Sequence, residues 1–110
     1  MTTITINWRE LSLTAKGHAC AGNFGEDVVC AGISALTQAL LDCLLEAEER
    51  GRISLKWGVD VKKATLTMTA NPKMDYRQEI RDYFKFCRTG LRAIQENYSK
   101  HIKILEIQEG

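Results

Sequence analysis

Two residues of this chain are suited to covalent chemistry, Cys30 and His18. A thiolate is a strong nucleophile, and an imidazole within reach can take the thiol proton and pass it to a leaving group. An ordinary thiol of pKa about 8.5 is only roughly 3% ionised at neutral pH, so a cysteine used this way needs help. A helix is expected from about Val28 to Arg50, with Asp27 capping its start and Gly51 ending it. Cys30 then falls near the first turn, just after the glycine-rich segment 17–25. Unpaired N–H groups and the positive end of the helix dipole favour an anion there. The same N–H groups suit the oxyanion formed when a thiolate attacks a carbonyl. Ser34 follows one turn later on the same face, so the thiol is expected along a polar edge. His18 lies twelve positions before Cys30, on a loop whose glycines let it fold back over the helix start.

The other three cysteines are read more plainly. Cys43 and Cys87 lie in apolar helical patterns and are expected in the core. Cys20 reads as an incidental loop thiol, with a regulatory disulfide to Cys30 as the alternative. No C-x-x-C pair occurs, and His18-Ala19-Cys20 has nothing near it to complete four ligands, so no metal and no cofactor are expected.

The elements that must position these residues follow from hydrophobic period. Ile4, Ile6 and Trp8 alternate, as do Leu11, Leu13 and Ala15, predicting a hairpin before the loop. The helix of Cys30 is apolar over much of its surface, with one polar stripe of Ser34, Thr37, Gln38, Asp42, Glu46 and Glu49. It is expected to be the central buried helix. Ile53, Leu55 and Trp57 alternate, then Ala64, Leu66, Met68 and Ala70, with Pro72 just beyond. A second helix from about Asp75 to Tyr98 shows one apolar face, weakened by Gly90, and a strand over Ile102 to Ile107 closes the chain. The order β-β-α-β-β-α-β predicts an α+β fold, two helices packed on a mostly antiparallel sheet.

The 110 residues suggest one domain, 1–110, with 45% hydrophobic and 26% charged residues. A net charge of +1, from 15 Lys and Arg against 14 Asp and Glu, argues against a general nucleic-acid or membrane-surface binder. No signal peptide is expected at Met1-Thr2-Thr3, and no apolar stretch of the ~18 residues that cross a bilayer. A cytoplasmic protein with reduced thiols is therefore expected.

Gly17-His18-Ala19, then five residues, then Gly25-Glu26-Asp27-Val28-Val29-Cys30-Ala31-Gly32-Ile33-Ser34-Ala35-Leu36 resembles the ribosomal-processing cysteine proteases, the Prp family. The family pattern is G-H-A, a short loop, then G-x-D-[I/V]-V-C-A-x-[V/I]-S. The resemblance implies a peptidase with a Cys–His dyad, the base falling on His18 and the nucleophile on Cys30. It makes Gly17, Asp27 and Ser34 the supporting positions. It implies removal of an N-terminal extension, after a pair of phenylalanines, from the twenty-seventh protein of the bacterial large ribosomal subunit. It also implies a homodimer. Cys20 is a departure that adds a thiol inside the loop. Residues 19–25 are expected to be mobile without substrate.

Arg77, Arg81, Lys85, Arg88 and Arg92 form a basic stripe on the second helix. It is expected to be a solvated face. Contact with RNA or an acidic partner is the alternative, and would make the chain a non-catalytic ribosome-associated module with Cys30 inert. No aromatic residues interleave with the stripe in sequence, so direct nucleic-acid binding is not expected.

Overall fold

The computed structural model describes residues 1–17 and 24–109, and for 24–27 the backbone alone. Alternation over the first sixteen residues yields β1 (Thr2–Asn7) and β2 (Ser12–Lys16). The Asn7 side-chain carbonyl turns the chain between them, accepting from the N–H groups of Arg9 and Glu10 at 3.0 and 3.1 Å. Helix α1 (Phe24–Glu49) follows, then β3 (Lys56–Asp60), β4 (Thr65–Thr69), a 3-10 turn over Met74–Tyr76, α2 (Arg77–Asn97) and β5 (Ile102–Ile107). The expected order of elements is the observed one.

The five strands form one sheet in the order β3-β4-β2-β1-β5. Three pairings are antiparallel, and β5 joins β1 in parallel. Register puts Ile4 beside Ala15 and Ile104, and Leu13 beside Ile6 and Met68, so one sheet face is continuously apolar. Against it α1 buries Val29, Ile33, Leu40 and Leu44, and α2 buries Ile80, Phe84, Cys87 and Leu91. Fully burying each such side chain is worth about 1.5–3 kcal/mol. The opposite face carries threonines and lysines, as the period of two requires.

Several expectations shift. Helix α1 begins at Phe24, four residues before Val28, so Asp27 lies inside the first turn and does not cap the helix. Glu26 and Asp27 suit that turn electrostatically, which lets the helix run back through Gly25. It is not buried all round: Ala31, Ser34, Ala35 and Ala39 are exposed, and so is Cys43, contrary to its core reading. Its length and composition would allow it to cross a membrane, which the sequence reading did not recognise. The sheet that covers its apolar side accounts for that composition. Ile53 is buried but makes only an isolated bridge to Pro72, and β3 starts three residues later.

Gly90 has a packing reason. A Cβ there would stand 2.7 Å from Leu36 of α1, so the glycine lets the two helices approach. Gly51 takes φ of 74° and ends α1 as expected.

The basic stripe is engaged within the fold. Glu106, on the core side of β5, accepts hydrogen bonds from Trp8 Nε1 at 2.8 Å, Arg88 at 3.3 Å and Arg92 at 2.6 Å. Arg81 and Arg88 lie over the Trp8 ring, 5.0 and 5.1 Å from its centre. Arg77 and Arg81 pair with Glu109, and Arg77 also donates to the carbonyls of Trp8 and Arg9. Burial acts to raise the Glu106 pKa, but the donors from Trp8, Arg92 and Arg88 outweigh it and hold the carboxyl below its usual value. A depressed carboxyl contributes stability that is present above its unfolded pKa and disappears as pH falls through the folded one. Glu106→Gln should therefore cost about 1–3 kcal/mol near neutrality and flatten the acid limb of stability against pH. Urea unfolding from pH 3 to pH 7 measures both; an unchanged acid limb would contradict this account.

Candidate active site

A cleft of about 350 Å³ opens between the N-terminal half of α1 and the β3–β4 hairpin. Cys30, Ser34 and Thr37 line it from α1, Val59, Val61 and Leu66 from the hairpin, and Thr2 and Gly17 from the starts and ends of β1 and β2. Three sequence-predicted positions, Gly17, Cys30 and Ser34, thus share one cavity. His18 and Cys20 lie outside the described residues, as do the rest of 19–23 in the loop expected to be mobile and the side chain of Asp27, while Phe24 and Gly25, expected in that loop, belong to α1.

Gly17 is held firmly. Its N–H donates to the Ala64 carbonyl at 2.8 Å, and its carbonyl accepts from the Thr2 hydroxyl at 3.4 Å. It takes φ of +88°, and a Cβ would stand 2.7 Å from the Met1 carbonyl oxygen. The chain therefore leaves β2 toward His18 from a fixed point on the cleft wall. Thr2 and Ala64 fix that point, and neither carries a sequence signal, because their partners are distant in the chain.

Cys30 is buried, with 8% of its surface exposed at the cleft. Because α1 starts at Phe24, Cys30 is the seventh helical residue, and its N–H lies within the helical ladder. The unpaired N–H groups belong to the turn before it. Thr37, on the expected polar stripe, is buried, and its hydroxyl donates to the Ile33 carbonyl at 2.8 Å. Ser34 stays exposed one turn after the thiol. Cys43 is exposed elsewhere on α1, while burial pushes the Cys87 thiol up to about 12. Among the described residues no cluster of His, Cys, Asp or Glu is arranged to hold a metal.

Residues 1–103 match the family model of the cysteine protease Prp. The chain belongs to the Prp family of cysteine proteases. It is accordingly a cysteine-type peptidase. Its fold is similar to that of solved structures of Prp from S. aureus. One, in complex with a covalently linked product peptide, has a TM-score of 0.76 at 20% identity, covering 96% of this chain and 99% of that one. A second, with a substrate peptide, has a TM-score of 0.76 at 19% identity and the same coverage. A Streptococcus mutans protein, SMU.848, has a TM-score of 0.74 at 19% identity over 98% of this chain and 93% of that one. No curated protein sequence matches the chain.

Gly17→Ala should destabilise the protein by about 1–2 kcal/mol from left-handed backbone strain alone, with the Met1 contact adding to it. Chemical denaturation measures this, and a fully neutral substitution would contradict the described geometry at the β2 exit.

Proposed function

We propose that this chain is an endopeptidase in which Cys30 is the nucleophile and His18 its base. Its substrate is the N-terminal extension of the twenty-seventh large-subunit ribosomal protein, and its removal supports ribosome assembly. The carrying observation is that Cys30 lines a cleft of about 350 Å³, while Gly17, the chain neighbour of His18, lines the same cleft. Cys43 sits outside that cleft and Cys87 is buried with a thiol too basic to ionise at neutral pH. The S. aureus relatives are described as an essential ribosomal processing protease, which supports the substrate class.

In this reading the Cys30 thiol gives its proton to His18 as sulfur attacks the scissile carbonyl. The C–N bond breaks as the imidazolium protonates the departing amine, leaving an acyl thioester. Water, deprotonated by His18, then hydrolyses the thioester and restores the thiol. The Cys30 N–H lies inside the helix ladder, and His18 is the group that takes the thiol proton. Gly17 fixes the loop exit and Ser34 forms the polar rim, and the resemblance makes Asp27 a third supporting position. The family match speaks against the reading as a non-catalytic module, and four arginines of its basic stripe pair with Glu106 and Glu109.

Incubation with the ribosomal protein precursor, followed by mass measurement, should show one shortened product. Cys30→Ala and His18→Ala should each lower the rate by about 10⁴-fold or more with the thermal midpoint retained. Trimming by Cys30→Ala at the normal rate would sink the mechanism.

We also infer a cytoplasmic homodimer. An apolar groove of about 160 Å³ lies between α1 and α2, lined by Leu36, Ala39, Leu40, Tyr83 and Phe86, and Phe86 is 78% exposed. A second copy of the chain covering this groove removes that surface from water. Sedimentation should give a dimer that Phe86→Asp converts to a folded monomer. A wild-type chain that stays monomeric at micromolar concentration would refute it.

A further inference from the structure

Edge strands ordinarily hide apolar side chains, because an open edge invites pairing with another chain. Strand β3 has β4 on one side and, among the described residues, no strand on the other. Yet Trp57, Val59 and Val61 are 49, 62 and 85% exposed. Alternation puts Trp57 and Val59 in one row, and Val61 follows in the turn just beyond β3. Register sets Trp57 opposite Met68 and Val59 opposite Leu66, so the row is on the sheet face that carries the helices. Val59 and Val61 line the Cys30 cleft, while Trp57 lies outside it, two residues or about 7 Å further along β3. The cleft therefore continues as an apolar strip leading away from the thiol.

We propose that this strip is an extended-peptide subsite, with Trp57 as its specificity-determining residue. The substrate chain lies along β3, and its alternate side chains repeat at the same spacing as the row beneath them. One apolar side chain packs on Val59. The next on that face, two residues further from the scissile bond, packs on Trp57. The occupant is the peptide substrate because the row is continuous with the cavity that holds the nucleophile. This rests on the reading of Cys30 as that nucleophile.

The test compares two peptides that differ at one position, a large apolar residue or alanine, scanned on both sides of the scissile bond. The wild-type protein should prefer the apolar peptide at one position by about tenfold or more in kcat/KM. Trp57→Ala should erase that preference while the alanine peptide is cleaved within about twofold of the wild-type rate. Trp57→Phe should restore part of it. An equal loss on both peptides, no loss on either, or a dimer that dissociates in Trp57→Ala would overturn the subsite. Cleavage that survives Cys30→Ala would instead overturn the underlying assignment, so the two failures are distinguishable.

Discussion

Packing of α1 across the sheet is the constraint on which the site depends. Cys30 is carried by a helix, whereas Gly17 follows the end of a strand, so the helix-to-sheet contact brings these two sides of the cleft together. Val29 and Ile33 flank Cys30 in sequence and are buried against the core. That burial fixes the rotation of the helix and turns the thiol to the cleft. One residue of rotation, about 100°, would move the sulfur to a different face. On the sheet side, Gly17 is tied to Thr2 and Ala64, strands whose register is set by Ile4, Ala15 and Leu66. The geometry of a small reactive site is thus inherited from an apolar interface that takes no part in the chemistry.

The two ends of the molecule are built differently. Strand β1 runs from Thr2, at the cleft, to Asn7 and then Trp8, where four arginines and two glutamates join α2, β5 and the chain end. A carboxylate such as Glu106, 13% exposed, is costly to desolvate and is tolerable only with its donors in place. Arg52 makes a second tie, one guanidinium nitrogen donating to both Glu79 carboxylate oxygens at 3.0 and 3.1 Å, and Tyr83 donates to the same carboxylate at 2.9 Å. That hydrogen bond, with burial, holds the Tyr83 hydroxyl above its usual pKa. Among the described residues the ion pairs therefore concentrate away from the cleft, whose hairpin wall keeps exposed apolar side chains.

Much of this was legible in the sequence because it is periodic. Period two located β1, β2, β4 and β5, and the spacing of three and four from Tyr76 to Tyr98 located α2 and its buried Ile80, Phe84, Cys87 and Leu91. The beginning of α1 was not legible, since Gly25 looks like loop and Asp27 looks like a cap, although Glu26 and Asp27 are equally at home in a first turn. Trp57 and Val59 alternate as buried strand residues do, and only their place on the sheet edge leaves them exposed. The pairing of the arginines was not legible because their partners, Glu106 and Glu109, lie 14 to 32 positions away. Local pattern cannot pair charges across such distances.

The earlier start of α1 also changes how the thiol is activated. With Cys30 near the first turn, dipole and unpaired N–H groups would lower its pKa and bind an oxyanion at once. Seven residues in, neither effect acts through its own backbone, because the terminal field fades within the first turn and the Cys30 N–H is paired. On the proposed mechanism the oxyanion donors come from elsewhere along the cleft, because the Cys30 N–H is taken up by the helix. The base of that mechanism follows Gly17 directly in the chain, and both the N–H and the carbonyl of Gly17 are bonded at the cleft wall.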